Sequence, residues 1–317
     1  MSNEYPNTGP DVGTSQMVLN TEPDAPVDIR PPRTLLQDAW YDLKRNKLFW
    51  LSAVLIVFVA AMVLFPGLLA DRAKTDSLYG GCNLSESLLP PSSEHWFGTD
   101  QLGCDVYAMT IFGARPSVTV ALIATAVTIA LGATVGLLAG FYGGVTDSIL
   151  SRIIDIFFSL HPIVVGIAVL TSLSLSGIWG VTLVLSVLGW VGAARMVRSQ
   201  TIEAKSQDYT TAARALGASN RRIMGRHILP NAMGPAIVLA VLGLGGFILS
   251  EATFSFLGIG IKPPLFTWGT IIAESQPVFF QAPWTLFFPS LFLSLAVLAF
   301  ILLGESISEA IDPKLRR

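Results

Sequence analysis

The chain has 317 residues, of which 52% are hydrophobic and only 13% charged, with a net charge of −2. Soluble domains carry about 25% charged residues, so this composition excludes an ordinary water-soluble globular domain. The near-neutral balance gives no footing for nucleic-acid or general polyanion binding. The apolar residues fall in blocks of about 20, the length at which a helix crosses hydrocarbon, which makes the chain an all-α membrane protein.

Residues 1–32 are polar and Pro-rich, without an apolar stretch or a secretory signal. They read as a disordered tail, with a binding arm as the other reading. Residues 33–47 place Leu35, Leu36, Ala39, Trp40 and Leu43 at helical spacing, an amphipathic lead-in along the membrane surface. Lys44, Arg45 and Lys47 then abut a first span over 48–70. Basic residues flank spans on the cytoplasmic side, so the N-terminus lies inside and the first span runs outward.

Residues 71–112 hold Asp71, Asp76, Glu86, Glu94, Asp100 and Asp105 against Arg72 and Lys74 only. Such a segment is expected outside, packed as a small cap. Cys82 and Cys104 both fall in it. An oxidising compartment allows a disulfide between them. The alternative is two free thiols, because sequence does not supply the geometry.

The core is expected over 113–306. Span two covers 116–140, with Gly132, Gly136 and Gly140 forming a small-residue face for close helix crossing. Span three covers 149–173, with Arg152 and Asp155 expected to face each other at its inner end. Asp155 is alternatively an ion or proton site. Pro162 implies a kink, and His161 beside it reads as a packing residue. Span four covers 178–194 and ends at Arg195 and Arg198.

The segment 203–227 is polar and basic between two apolar runs, with Lys205, Arg214, Arg221, Arg222 and Arg226 against Glu203 and Asp208. It cannot lie in hydrocarbon and belongs in water on the inner face. Span five covers 229–250. Residues 251–283 form an outer loop too apolar to be merely solvated, expected to dip into the interface. Span six covers 284–303, and a cytoplasmic tail over 307–317 ends in Lys314, Arg316 and Arg317. Six spans with both termini cytoplasmic satisfy every basic cluster.

The sequence has no G-x-x-x-x-G-K-[ST] phosphate loop and no HExxH, and its histidines (His95, His161, His227) stand far apart. A catalytic role, a metal site and a cofactor held by this chain therefore have no residues to rest on. Ion-coupled transporters bury ionisable groups within spans and carry repeated halves. Neither is visible, so energy must arrive from outside the chain.

That returns attention to the inner segment. Asp208 is placed to cap a helix over Tyr209–Leu216. Gly217 ends it in a left-handed position. Ser219 or Asn220 caps a second short helix through Arg226, and Pro230 opens span five. The result is a kinked knob. Ala212 and Ala213 let a partner surface approach, Tyr209 and Leu216 offer apolar anchors, and Arg214, Arg221 and Arg222 offer charge.

The Ala212-Ala213, Gly217 and Leu229-Pro230 spacing resembles the EAA loop of permease subunits in binding-protein-dependent ABC importers. Thr211 and His227 depart from that pattern, where it has Glu and an aliphatic residue. Phe97-Gly98-Thr99-Asp100, Gly103-Cys104-Asp105-Val106, Gly140-Phe141-Tyr142-Gly143-Gly144, Ala212 to Ser219, Ser255-Phe256-Leu257-Gly258 and Asp312-Pro313-Lys314-Leu315-Arg316 are similar to the dipeptide, oligopeptide and nickel branch, C-type subunit. Cys104 stands where the branch usually has Arg.

The resemblance implies a six-transmembrane-helix type I ABC importer permease of the prokaryotic inner membrane, with a cytoplasmic coupling helix. It implies a second homologous permease, two ATPase subunits that bind ATP and Mg, an extracytoplasmic substrate-binding protein and surrounding lipid. The coupling residues would be Asp208, Tyr209, Ala212, Ala213, Arg214, Leu216, Gly217, Arg221 and Arg222. Glu251, Phe256, Gly258 and Trp268 would face the binding protein and the outer gate, either dislodging substrate or sealing the vestibule. The expected cargo is a di- or oligopeptide. A nickel or other small-solute importer of the same family, or an ion-coupled secondary transporter, is the alternative.

Overall fold

A computed structural model describes residues 40, 41, 43–75 and 82–311. The tail 1–32, most of the lead-in and the basic C-terminal end (312–317) lie outside the described residues. So does Asp76. Among the described residues the fold is all-α, with one isolated bridge between Thr99 and Asp105. Its helices are α1 (Lys47–Leu64), α2 (Val106–Tyr142), α3 (Gly144–Ser159), α4 (Pro162–Ser172) and α5 (Gly177–Lys205). After these come α6 (Asp208–Ala215), α7 (Asn220–Ile223), α8 (Leu229–Phe256), α9 (Trp268–Ser275) and α10 (Pro283–Ile311).

Among the described residues, five helices are long and apolar enough to cross a membrane: α1, α2, α5, the run Asn220–Phe256 and α10. Predicted span three is not one helix. Its two parts, α3 and α4, meet at a bend of 85°. The chain breaks at Leu160 and His161 and restarts at Pro162, whose missing N–H suits the first position of a helix. His161 occupies the N-cap position of α4. The expected kink is therefore a full break.

Helix α2 starts at Val106, ten residues before the predicted start at Pro116. The Asp105 side chain caps it, accepting from the Ala108 N–H at 3.0 Å. Pro116 is carried inside the helix. With 37 residues α2 is about 55 Å long, so it stands well clear of a hydrocarbon layer of about 30 Å. The outer cap is thus built onto a protruding helix end. His95 Nδ1 lies 3.0 Å from the other Asp105 oxygen, and Cys82 and Cys104 are joined by a disulfide.

Helices α2 and α5 form the central pair. Gly132, Gly136 and Gly140 face α5 and put no side chain of their own between the helices. A Cβ on Gly136 would sit 2.5 Å from the Ala194 carbonyl oxygen. Outside this pair, α8 and α10 pack against each other and α1 lies along α10. The outer loop is not a loop for most of its length. Helix α8 runs on to Phe256, and the chain folds back into α9 behind a Thr267 capping box. Trp268 is fully buried against Ile111, Ala114 and Ile248, and its Nε1 donates to the Thr110 carbonyl at 2.9 Å.

Replacing Gly136 with Val should destabilise the purified protein by about 1–3 kcal/mol, because neither backbone can yield. Gly246→Ala, where a Cβ meets nothing within 4 Å, should stay within about 0.5 kcal/mol. Thermal unfolding in detergent compares the two.

Candidate functional site

The inner end of α5 leads through Ser206 and Gln207 into α6. Gln207, not Asp208, holds the N-cap position. Asp208 is the first helical residue, where its charge complements the positive end of the helix. At the other end the Ala218 N–H donates to the Ala213 carbonyl at 3.1 Å and the Gly217 N–H to Arg214 at 3.0 Å. Gly217 sits at φ +79°, completing a Schellman turn. Ser219 then caps α7 by accepting from the Arg222 N–H at 3.4 Å. Helix α7 does not stop before α8. It passes through a π turn over Met224–Ile228 into Leu229, so the knob is continuous with the next span.

Helix α6 has two faces. Thr210 and Ala213 are buried, with Thr210 Oγ1 donating to the Ala204 carbonyl at 2.8 Å. Ala213 packs with Phe141, Ile223, Met224 and Ile228. The sequence reading placed Ala213 at the partner surface, and the structure places it against the body of the protein. The adjoining exposed side carries Tyr209, Ala212 and Leu216 at i, i+3 and i+7. Leu216 is 88% exposed. Arg214, Arg221 and Arg222 are exposed on the same knob and form no ion pair among the described residues. A short apolar stripe and unpaired guanidinium groups, on a helix stapled to the body, suit a partner surface that offers an apolar cleft and acidic groups.

Beside the knob lie charged residues whose partners the sequence did not reveal. Asp155 does not meet Arg152. It accepts from Arg195 at 2.9 Å, and the Arg195 guanidinium lies 3.7 Å over the Phe158 ring. Asp147 takes Arg198 through both oxygens, at 2.6 and 2.7 Å. Lys205 Nζ donates to the Phe141 carbonyl at the end of α2. Arg195 and Arg198 read in the sequence only as markers of the inner boundary. Opposite charges at that boundary on neighbouring spans were the available signal.

On the outer side, Glu251 and Trp268 are fully buried and present no surface to a partner. Glu251 accepts from the Ser255 hydroxyl at 2.7 Å within α8. Phe256 and Gly258 are exposed at the turn that follows. A cavity of about 350 Å³ opens between the cap and α9, lined by Asp100, Leu102, Met109, Ile271 and Glu274. Burial raises the Asp100 carboxyl above its ordinary range, against N–H donors from Cys104 and Leu102. Burial also raises Glu274, and the nearby Asp100 charge adds to it.

Comparison with known proteins agrees with this architecture. Residues 132–317 match the family "binding-protein-dependent transport system inner membrane component". Residues 34–91 match the N-terminal transmembrane domain of oligopeptide transport permease C. The chain is 38% identical to the dipeptide transport system permease protein DppC of Bacillus subtilis, over 95% of this chain and 93% of that one. It is 35% identical to the oligopeptide transport system permease protein OppC of the same organism, over 90% and 91%. It is 34% identical to the glutathione transport system permease protein GsiD of Shigella boydii, over 95% and 97%. A chain of the inward-facing methionine ABC transporter MetNI superposes with a TM-score of 0.53 at 19% identity, over 64% of this chain and 96% of that chain.

Gly217→Pro cannot adopt φ +79° and removes the N–H bonded to Arg214. It should open the Schellman turn, seen as faster amide exchange at Ala218, and abolish transport. The outer cavity has a pH signature. A carboxyl that holds its proton more tightly folded than unfolded stabilises the fold at low pH, and that contribution is lost as pH rises. Melting temperature should fall as pH rises from about 4 to 7. Glu274→Gln should flatten that dependence.

Proposed function

This chain belongs to the binding-protein-dependent transport system inner membrane components, and on that premise we propose that it is the C-type permease of an ATP-driven peptide importer. The single observation that carries the coupling role is the exposed Tyr209–Ala212–Leu216 stripe on a helix fixed to the body through Thr210 and Ala213. A surface so placed passes a push from below into α5 and α8 without dissipating it in loop motion.

In this reading the chain pairs with a second permease, and the solute crosses between them by alternating access. Two ATPase subunits bind ATP and Mg below the permease pair, and one of them receives this chain's knob through Tyr209, Ala212 and Leu216, with Arg214, Arg221 and Arg222 available for charge pairing. Ala213 and Gly217 act from behind, by holding the helix in place and setting its angle. Asp208 completes the helix start. A substrate-binding protein docks above, where Phe256 and Gly258 are exposed. Glu251 and Trp268 serve it indirectly, by fixing α8 and α9. Both termini lie in the cytoplasm, as the basic residues at the inner ends of the spans require. This chain contributes half of the passage and no catalytic step.

A peptide is the cargo that the named relatives support, since they are dipeptide, oligopeptide and glutathione permeases. The test is uptake into proteoliposomes holding the full assembly with its binding protein. Dialanine, trialanine, reduced glutathione and nickel are offered separately, with and without ATP inside. At least one of the three peptides should accumulate only with ATP, and nickel should not. Accumulation of nickel alone would overturn the cargo. Uphill uptake by the two permeases without ATPase subunits would overturn the coupling.

A further inference from the structure

The knob and the outer end of this chain are far apart, yet one continuous set of contacts joins them. Arg198 lies on α5 two turns before the helix ends at Lys205, just ahead of the knob. It grips Asp147 of α3 through Nε and Nη2, at 2.6 and 2.7 Å, and the Ser151 hydroxyl supports the same carboxylate at 3.2 Å. The two side chains are only 34% and 23% exposed, and a two-pronged pair fixes distance and angle together. Helix α3 also packs Ile154 and Phe157 onto Trp190 of α5. Past the 85° bend, α4 runs toward the outside and lays Gly166 and Leu170 against Phe254 of α8. Phe254 is buried three residues beyond Glu251, near the end of α8 before the chain folds back into α9.

We propose that Asp147 and Arg198 are positioning residues: the strut through which movement of the knob turns the bent pair α3–α4. This rests on the knob being the ATPase docking element. A bend of 85° makes α3–α4 a crank. Displacing α3 along the inner face tilts α4 across the membrane, and α4 bears on Phe254. Apolar packing alone lets α3 slide on α5, whereas the two-pronged pair does not. The second pair, Asp155 with Arg195, has a single contact and is about half exposed, so solvent weakens it. The crank is therefore driven from the Asp147 end.

The test uses the full assembly in proteoliposomes and reads peptide imported per ATP hydrolysed, with whichever of dialanine, trialanine and reduced glutathione the wild type accumulates, together with co-purification of the ATPases. Asp147→Asn and Arg198→Gln should each lower that ratio by about tenfold while ATP hydrolysis continues. The exchange Asp147→Arg with Arg198→Asp should recover most of it. Asp155→Asn should change it by less than about twofold. Unchanged ratios in the single variants would overturn the strut. So would uptake and hydrolysis falling together in an intact assembly, or an exchange variant no better than the singles. If single variants fail to hold the ATPases, the exchange variant decides: an assembled, coupled exchange upholds the strut, and anything else makes the pair an assembly contact. The wild-type control keeps the two readings apart. A wild type without ATP-dependent uptake contradicts the proposed function, and a coupled wild type with coupled single variants contradicts only the strut.

Discussion

Everything on the inner side depends on two backbones lying almost in contact. Gly132, Gly136 and Gly140 remove the side chains that would hold α2 and α5 apart. In hydrocarbon there is no water to expel between helices, so close packing of small residues must supply the attraction. That contact fixes the height of α5. Arg195 and Arg198 therefore meet the acids of α3, and Lys205 reaches the end of α2. The knob begins three residues later, at a level already set.

The knob itself works by a division of faces. A free helix of eight residues would be marginal in water. Here Thr210 and Ala213 fasten one side, the Schellman turn closes the end, and the π turn carries α7 into α8 without a hinge. What remains outside is a narrow apolar stripe, with exposed guanidinium groups on the same knob. In the proposed reading a partner covers Leu216 and pushes on the rigid packing behind it.

The outer side is organised differently. Trp268 and Glu251 lie inside the protein, so the return of the chain through α9 is a packed element rather than a flap. The cap is tied by the Cys82–Cys104 disulfide and by Asp105, which serves both the start of α2 and His95. Phe256 and Gly258, at the turn between α8 and α9, are exposed, as are Leu257, Leu265, Phe279 and Phe280 nearby in the chain.

Much of this was legible in the residues alone. Apolar run length and the placement of Lys and Arg determined an all-α membrane chain, since a charge in hydrocarbon is costly wherever the helix goes. The glycine spacing showed which face of α2 is narrow. The Gly217 position and the Ser219 cap marked the kink in the knob, because left-handed backbone and cap chemistry are local properties. The tertiary structure alone decided the rest. Pro116 stays inside a helix while Pro162 accompanies a break, and no local rule separates the two. Ala212 and Ala213 are the same residue type in adjacent positions, yet one faces water and the other faces Phe141. Asp155 pairs with Arg195 forty residues away rather than with Arg152 in its own helix. Periodicity describes one helix at a time. Which face is covered, and which charge finds which partner, is set only when a second helix arrives beside the first.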